Sequence, residues 1–385
     1  MLAGACIAAL AGSLLAQEAR IVEERPARWV KTYSGEFAPP PGAALRLITR
    51  GHVVVRGGSG DRVGYTLTER VRARTLEEAQ RLFGKVIATV LRRDAAMTLT
   101  LLPLAGEPVA VEWDLNVPRS LGSLRIHTQI GDVEAYDLDG SVHADTAAGQ
   151  IHCDRIGGGV EANTGGGEIR LGRVGGPARC VSAAGSILID SAGRDTVCRT
   201  AGGEIQVRDA AGPLTLSTEG GNIEVDRAAS SVEAHTGEGT IQILRAAGAV
   251  LADTRGGAID VGGASGANCQ SAAGMIRVKA SAGPLKIETA MGSILAELLS
   301  GSRLDNSSLL AGSGDITVWI PSNLALSVVA RNDSGAGPRI FSDFSELRAR
   351  PASLSQPAVY EGAINGGGPV LMLDTSGGVI YLKRK

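Results

Sequence analysis

The sequence predicts an all-β protein, a β-solenoid (β-helix) of 18-residue coils with a small α+β capping region at its N-terminal end. Three observations predict it. Glycine recurs at 131, 149, 167, 185, 203, 221, 239 and 257, each 18 residues on, and then at 274 and 292. Two positions after each glycine stands a β-branched residue, Val133 and then Ile151 through Ile294, and three positions before it a hydroxyl, Thr128 through Thr289. Aromatic residues are only 3% of the chain, and between 122 and 300 Tyr136 is the sole one. Aromatic rings normally supply much of a globular core's buried area, so this core must be too narrow for them. At 44% apolar residues the chain is also too hydrophobic to be disordered.

The coil can be written out from one copy. Leu214, Leu216, Thr218, Gly221, Ile223 and Val225 give two runs of period 2, and each run is a short strand. Glycine sits at the turn between them, where it tolerates φ > 0. A six-residue return closes the unit. One coil cannot bury its own apolar face, but stacked coils build a continuous core. Ten coils at about 4.8 Å each make a rod of about 50 Å. Like residues then form ladders, and β-branched side chains suit them.

From the N-terminus, Met1 to Ala16 is almost wholly apolar and small. It reads as a signal peptide with cleavage after Ala16, and it is too short to span a bilayer. A lipid anchor at Cys6 is disfavoured, because Ala3-Gly4-Ala5 is a poor lipobox. No later stretch could form a transmembrane segment in the mature chain. The expected location is therefore exported, either periplasmic or at the cell surface. Residues 26–121 form the capping region. Ala44–Thr49, His52–Arg56, Arg62–Arg72, Met97–Leu102 and Val109–Val117 read as strands. Thr75 to Leu91 reads as a helix with Leu76, Ala79, Leu82, Phe83, Val86, Ile87 and Val90 on one face. Thr75 and Glu78 form a capping box at its start.

Residues 122–385 form the solenoid. The repeat falters after 297 and resumes at Gly314-Asp315-Ile316-Thr317-Val318. Its last copy, Leu371 to Leu382, follows an excursion of 333–369. That is long for a bare loop, and it predicts a hairpin. Solenoid ends invite edge pairing, so the helix-bearing N-terminal region and the C-terminal region with Trp319, Phe341 and Phe344 are the expected caps.

Several groups of residues look like sites, and the repeat explains most of them. Ser217, His235 and Asp253 lie 18 apart in one outward column. A hydrolytic triad needs the serine and the acid on opposite ring nitrogens, whereas a flat column brings both to one edge. The mixed columns Glu134, His152, Arg170 and His143, Glu161, Arg179, and the pair Asp260, Arg277, read as charge ladders worth at most about 1 kcal/mol per pair. Gly165-Gly166-Gly167 and Gly202-Gly203 are followed by inward Ile169 and Ile205 where a calcium-binding roll would place aspartate. No catalytic residue, metal ligand or cofactor site is expected. Cys180 and Cys198 share an inward column one coil apart, with Cα atoms about 5 Å from each other, within disulfide range. A disulfide and two buried thiols both remain open.

The features together resemble the bacterial exported family catalogued as domain of unknown function 4097, which carries a provisional adhesin label. The resemblance rests on Leu45–Thr49 with Gly51-His52-Val53-Val54-Val55, on Thr75-Leu76-Glu77-Glu78-Ala79, and on Leu115-Asn116-Val117-Pro118. At the far end it rests on Gly366-Gly367-Gly368-Pro369 and Thr375-Ser376-Gly377-Gly378-Val379-Ile380. It implies the fold and no chemistry. The net charge of −2 gives no electrostatic case for nucleic acid. The expected role is a non-enzymatic structural or interaction module, with an envelope protein or surface polymer as partner. The alternative is a carbohydrate-binding or carbohydrate-active β-helix. A groove with Trp319, Phe341, Phe344 and Tyr360 converging would favour the alternative.

Overall fold

The structure, a computed structural model, describes residues 20–40, 42–93, 96–103, 109–301, 304–334, 339–350 and 357–385. The signal peptide expected at 1–16 and Cys6 lie outside them. The chain forms two compact units, Met1–Gly193 and Arg194–Lys385. Each is β-solenoid, with its coils' strands in two parallel sheets.

In the first unit one sheet stacks the strands ahead of each glycine turn: Ser123–Thr128, Ser141–Thr146, Val160–Thr164 and Ala178–Ser182. The other stacks the strands after it: Val133–Leu138, Ile151–Ile156, Ile169–Val174 and Ile187–Ala192. Pairing is offset by one repeat throughout, as in Val142 with Val160 and Ile151 with Ile169. The second unit repeats this plan, with Leu214 on Val232 and Ile223 on Ile241. The deletion before Gly274 is absorbed where Val250 pairs with Ala267. The predicted inward residues are buried, and the return adds a further inward column. Leu138, Ile156, Val174 and Ala192 fill it in the first unit, and Ala210, Ala228 and Ala246 in the second.

The hydroxyl and the glycine form one device. Thr236 Oγ1 donates to the Gly221 carbonyl of the preceding coil (2.8 Å) and accepts from the Gly239 amide of its own (3.1 Å). The same pair of bonds recurs at Thr164, Ser182, Thr218, Thr254, Ser271, Thr289 and Thr375. Glycine is required for close approach more than for conformation. At Gly131 φ is +136°, but Gly167 and the later rungs avoid that region. A Cβ on Gly239 would lie 1.9 Å from the Gly221 carbonyl oxygen. Thr236→Val keeps the shape and removes both bonds. It should destabilise the second unit by about 1–3 kcal/mol, the cost of leaving two buried backbone groups unpaired. Thr236→Ser should recover most of that loss in urea titrations.

Coil building starts well ahead of Leu124. Ala44–Thr49 pairs in parallel with both Ser123–Thr128 and Ala96–Pro103. Gly51–Gly58 pairs likewise with Val133–Tyr136 and with Ala110–Pro118. The coil nearest the N-terminus is therefore held between two later ones. Its turn uses a variant of the lock, in which Thr128 Oγ1 of the adjacent coil donates to the Gly51 carbonyl and accepts from the amide of that same glycine. Antiparallel strands then cover the outer coil. Val63–Arg72 pairs with Ala110–Pro118, Arg28–Phe37 with Val63–Arg72, and Arg20–Arg25 with Arg28–Phe37. The last of these is rich in Arg and Glu, which discourages edge pairing. Phe37, Tyr65 and Trp113 pack in series, with ring centroids 6.5 and 6.0 Å apart.

The helix is shorter than its periodicity predicts. It spans Leu76–Phe83, with Thr75 capping the Glu78 amide and Gly84 closing it. Glu78 reaches back to the Arg74 amide instead of that of Thr75. Val86–Arg93, predicted to continue the helix, is a strand antiparallel to Ala96–Pro103. Gly84 interrupts the helix, and β-branched Val86, Ile87, Thr89 and Val90 favour a strand where a partner strand is available.

The C-terminal end uses the same topology. Val370–Thr375 and Ile380–Arg384 lie between the coil of Ser307–Ala311 and Ile316–Ile320 and the outer coil of Leu326–Asn332 and Ile340–Ser342. The hairpin predicted in the excursion is present. Ala358–Ile364 runs antiparallel to Leu326–Asn332 and to Arg348–Ala349. The same excursion also supplies Ile340–Ser342, half of the outer coil. There Asn332 Nδ2 donates to the Gly378 carbonyl (2.8 Å), in place of a hydroxyl.

Candidate functional site

The predicted charge columns are where the repeat places them. Ser217 pairs with His235, and His235 with Asp253. His235 Nε2 lies 3.0 Å from Glu233 and Nδ1 3.9 Å from Asp253. Both ring nitrogens therefore face carboxylates, and among the described residues no hydrogen bond joins Ser217 to the ring. This column has no triad geometry. His143 is likewise bridged, to Asp145 at 2.7 Å and Glu161 at 2.8 Å. Glu134 pairs with His152 and His152 with Arg170. Tyr136 donates to Glu134 and meets His152 Nδ1 at 3.1 Å. Burial, with Glu134 beside it, pushes the Tyr136 phenol up to about 12.

The cysteines face inward. Cys180 pairs with Ala162 and Cys198 with Leu216, each wholly buried in its own unit. Burial pushes the Cys153 and Cys269 thiols up to about 12, so neither is nucleophilic at neutral pH. Among the described residues no group of His, Cys, Asp and Glu could hold a metal ion.

One surface of the second unit differs in kind. In the sheet of strands after the glycine turns, Arg277, Leu295, Thr317, Tyr381 and Phe341 form one outward column over five adjacent strands. Glu297, Trp319 and Lys383 form the next. Tyr381 and Phe341 stack, with centroids 5.6 Å apart and planes 15° from parallel. Lys383 Nζ lies over both the Trp319 and Tyr381 rings, at 5.7 and 5.8 Å. Phe341 remains 48% exposed. On the other side of Trp319 is a cavity of about 320 Å³, lined by Arg277, Lys279, Leu295, Glu297, Trp319 and Lys385. Arg277 is paired with Asp260 at 3.1 Å and Lys385 with Glu297. The face is about 19 Å long, from four steps of about 4.8 Å.

Of the four aromatics whose convergence would favour the carbohydrate reading, only Trp319 and Phe341 lie on this face. Phe344 does not: it is 2% exposed, beneath the Arg384 guanidinium. Tyr360 lies in the other sheet, opposite Ala330. Tyr381 and Lys383, unnoticed in the sequence, take their places. Their signal was available, because Tyr381 follows the Ile380 of the last coil as Leu295 follows Ile294 and Thr317 follows Ile316.

Among the described residues no helix is long and apolar enough to cross a membrane. No family model matches the chain, and no curated protein matches it. Among solved structures, a "putative cell adhesion protein" from Clostridium sporogenes is 10% identical, with 92% of this chain and 100% of that one covered and a TM-score of 0.19. A "putative adhesin" from Bacteroides fragilis is 10% identical, covering 92% and 97%, at 0.23. A "putative lipid binding protein" from Parabacteroides distasonis is 13% identical, covering 92% and 96%, also at 0.23. TM-scores this low carry no argument, and what the chain does has to be argued from its own residues.

Proposed function

We propose that the chain is an exported, non-enzymatic interaction module that engages a component of the cell envelope through the Trp319–Lys383–Tyr381–Phe341 face. The observation that carries this reading is that face itself. Several outward columns elsewhere are charge ladders, whereas here three aromatic rings, a leucine and several cations share one surface beside a cavity. Exposed aromatic clusters of this kind anchor binding surfaces. Adhesin-like binding also agrees with the resemblance to the exported family noted above. The charge ladders serve as solvated scaffold.

Binding of residues 17–385 to isolated envelope tests the proposal. Trp319→Ala should weaken binding by at least about tenfold, as loss of a central aromatic anchor does. His235→Ala and Asp253→Ala should leave it unchanged. Equal binding by wild type and Trp319→Ala would remove this face from the function.

A further inference from the structure

We propose that this face binds a carboxylate-bearing polysaccharide, with an acidic sugar unit seated in the cavity beside Trp319; the inference rests on the interaction-module reading. The cavity, about 320 Å³, lies at the lower end of the range for small-ligand sites. Leu295 and the Trp319 indole give it an apolar wall, which suits the C–H face of a pyranose. Its rim is polar and mostly cationic, with Arg277, Lys279 and Lys385 against Glu297. Two of those cations already have acids, Arg277 at Asp260 and Lys385 at Glu297. Lys279 is exposed and has no carboxylate partner among the described residues. Lys383, on the other side of the indole, lies over aromatic rings and likewise has no acid. Two unneutralised ammonium groups thus flank one indole. Lys279 belongs to the strand Ile276–Ser281 and Lys383 to Ile380–Arg384, three strand steps away. That is about 14 Å at about 4.8 Å per step, a spacing that suits a polymer with repeated negative charge better than a single small anion.

Single-stranded nucleic acid also combines negative charge with flat rings, but it stacks successive bases on a series of ring faces. Here Tyr381 and Phe341 are stacked on each other, and Lys383 lies over one side of Trp319, leaving it a single face toward the cavity. The arrangement favours the sugar.

The test uses the mature chain, calorimetry and tryptophan fluorescence, with a galacturonic acid hexamer, a neutral galactose hexamer and a single-stranded DNA oligonucleotide as probes. The acidic hexamer should bind at least about tenfold more tightly than the neutral one, the margin expected of a charge-assisted contact. Lys279→Gln, at an exposed position that folding does not need, should remove most of that preference. Trp319→Leu should abolish binding of both sugars. The proposal is overturned if the neutral hexamer binds equally, if DNA binds more tightly, or if Lys279→Gln changes nothing. It is also overturned if the acidic hexamer fails to bind while envelope binding still depends on Trp319; the ligand class is then wrong and the module reading stands. If envelope binding is also independent of Trp319, both fall.

Discussion

Gly167→Ala should destabilise the first unit by about 3 kcal/mol or more, while Gly166→Ala, one residue away, should change it by no more than about 0.5 kcal/mol. A Cβ on Gly167 would lie 1.8 Å from the Gly149 carbonyl oxygen and 2.3 Å from its carbon, and a Cβ on Gly166 meets nothing within 4 Å. The obstructing atom is backbone, so no side chain can swing aside. The Gly149 carbonyl also accepts from Thr164 Oγ1 (2.8 Å), and the same hydroxyl accepts from the Gly167 amide (3.1 Å). Making room for a methyl group therefore separates two coils and stretches this lock together with the flanking parallel ladder. In a stacked array the damage can stay local. Hydrogen exchange at the Ile151 amide should be read beside the urea midpoint. Ile151 donates across the opened seam to the Glu168 carbonyl (2.9 Å) and should lose protection in Gly167→Ala alone. Equal behaviour of the two variants would show that the coils can separate freely, and the account of the glycine column would be wrong.

That column also shows how much was legible in the sequence. Glycine, hydroxyl and β-branched residues recur at fixed offsets because each touches its own counterpart one coil away, so an 18-residue spacing carries nearly all of the fold. Legibility fails where the chain leaves that spacing. Leu45 pairs with Leu124, 79 residues on, and Thr49-Arg50-Gly51 has one residue between hydroxyl and glycine where the later coils have two. The coil from Ala44 is therefore real but out of phase with those that follow. Ile340–Ser342 is hidden in the same way inside an irregular excursion. The helical periodicity overruns the helix because Val86, Ile87 and Val90 fit a helical face as well as a strand, and only the partner Ala96–Pro103 decides between them. The aromatic face around Trp319 is partly legible. Trp319 and Tyr381 occupy repeat positions and could be placed by counting. Phe341 could not, because nothing in the sequence places the excursion beside the last coil. Phe344 and Tyr360 share with it only aromatic character and nearness in sequence.

Glu69→Gln should alter the pH dependence of the first unit by about 3 kcal/mol between pH 4 and pH 8. Glu69 lies on Val63–Arg72, opposite Lys31 on one side and Val111 on the other. It is 1% exposed, and its Oε2 has no hydrogen-bond partner. Burial pushes its carboxyl up from 4.5 to about 7, with Lys31 pulling partly the other way; the neighbouring Tyr33 phenol is raised as well, by its own burial first and by Glu69 to a lesser extent. A folded-state pKa above the unfolded one means that the proton binds more tightly in the folded chain. The associated stability is complete below about pH 4.5 and is lost as pH rises through about 7. The loss comes to about 3 kcal/mol from about 1.36 kcal/mol per pKa unit. Glutamine carries no charge at any pH, so the variant should lack this slope. Its amide brings donors that the site does not satisfy, at a cost of about 1–2 kcal/mol. The variant should therefore be less stable than wild type near pH 4 and more stable near pH 8, with the curves crossing in between. Lys31→Met should shift the wild-type transition to higher pH, because it removes a nearby positive charge that favours the carboxylate. Parallel stability curves for wild type and Glu69→Gln would mean that water reaches Oε2 and that the carboxyl titrates normally. Crossing curves would show that the antiparallel cap over the outer coil holds a carboxylate at neutral pH at its own expense, which makes the N-terminal cap the first part of this unit to loosen as pH rises.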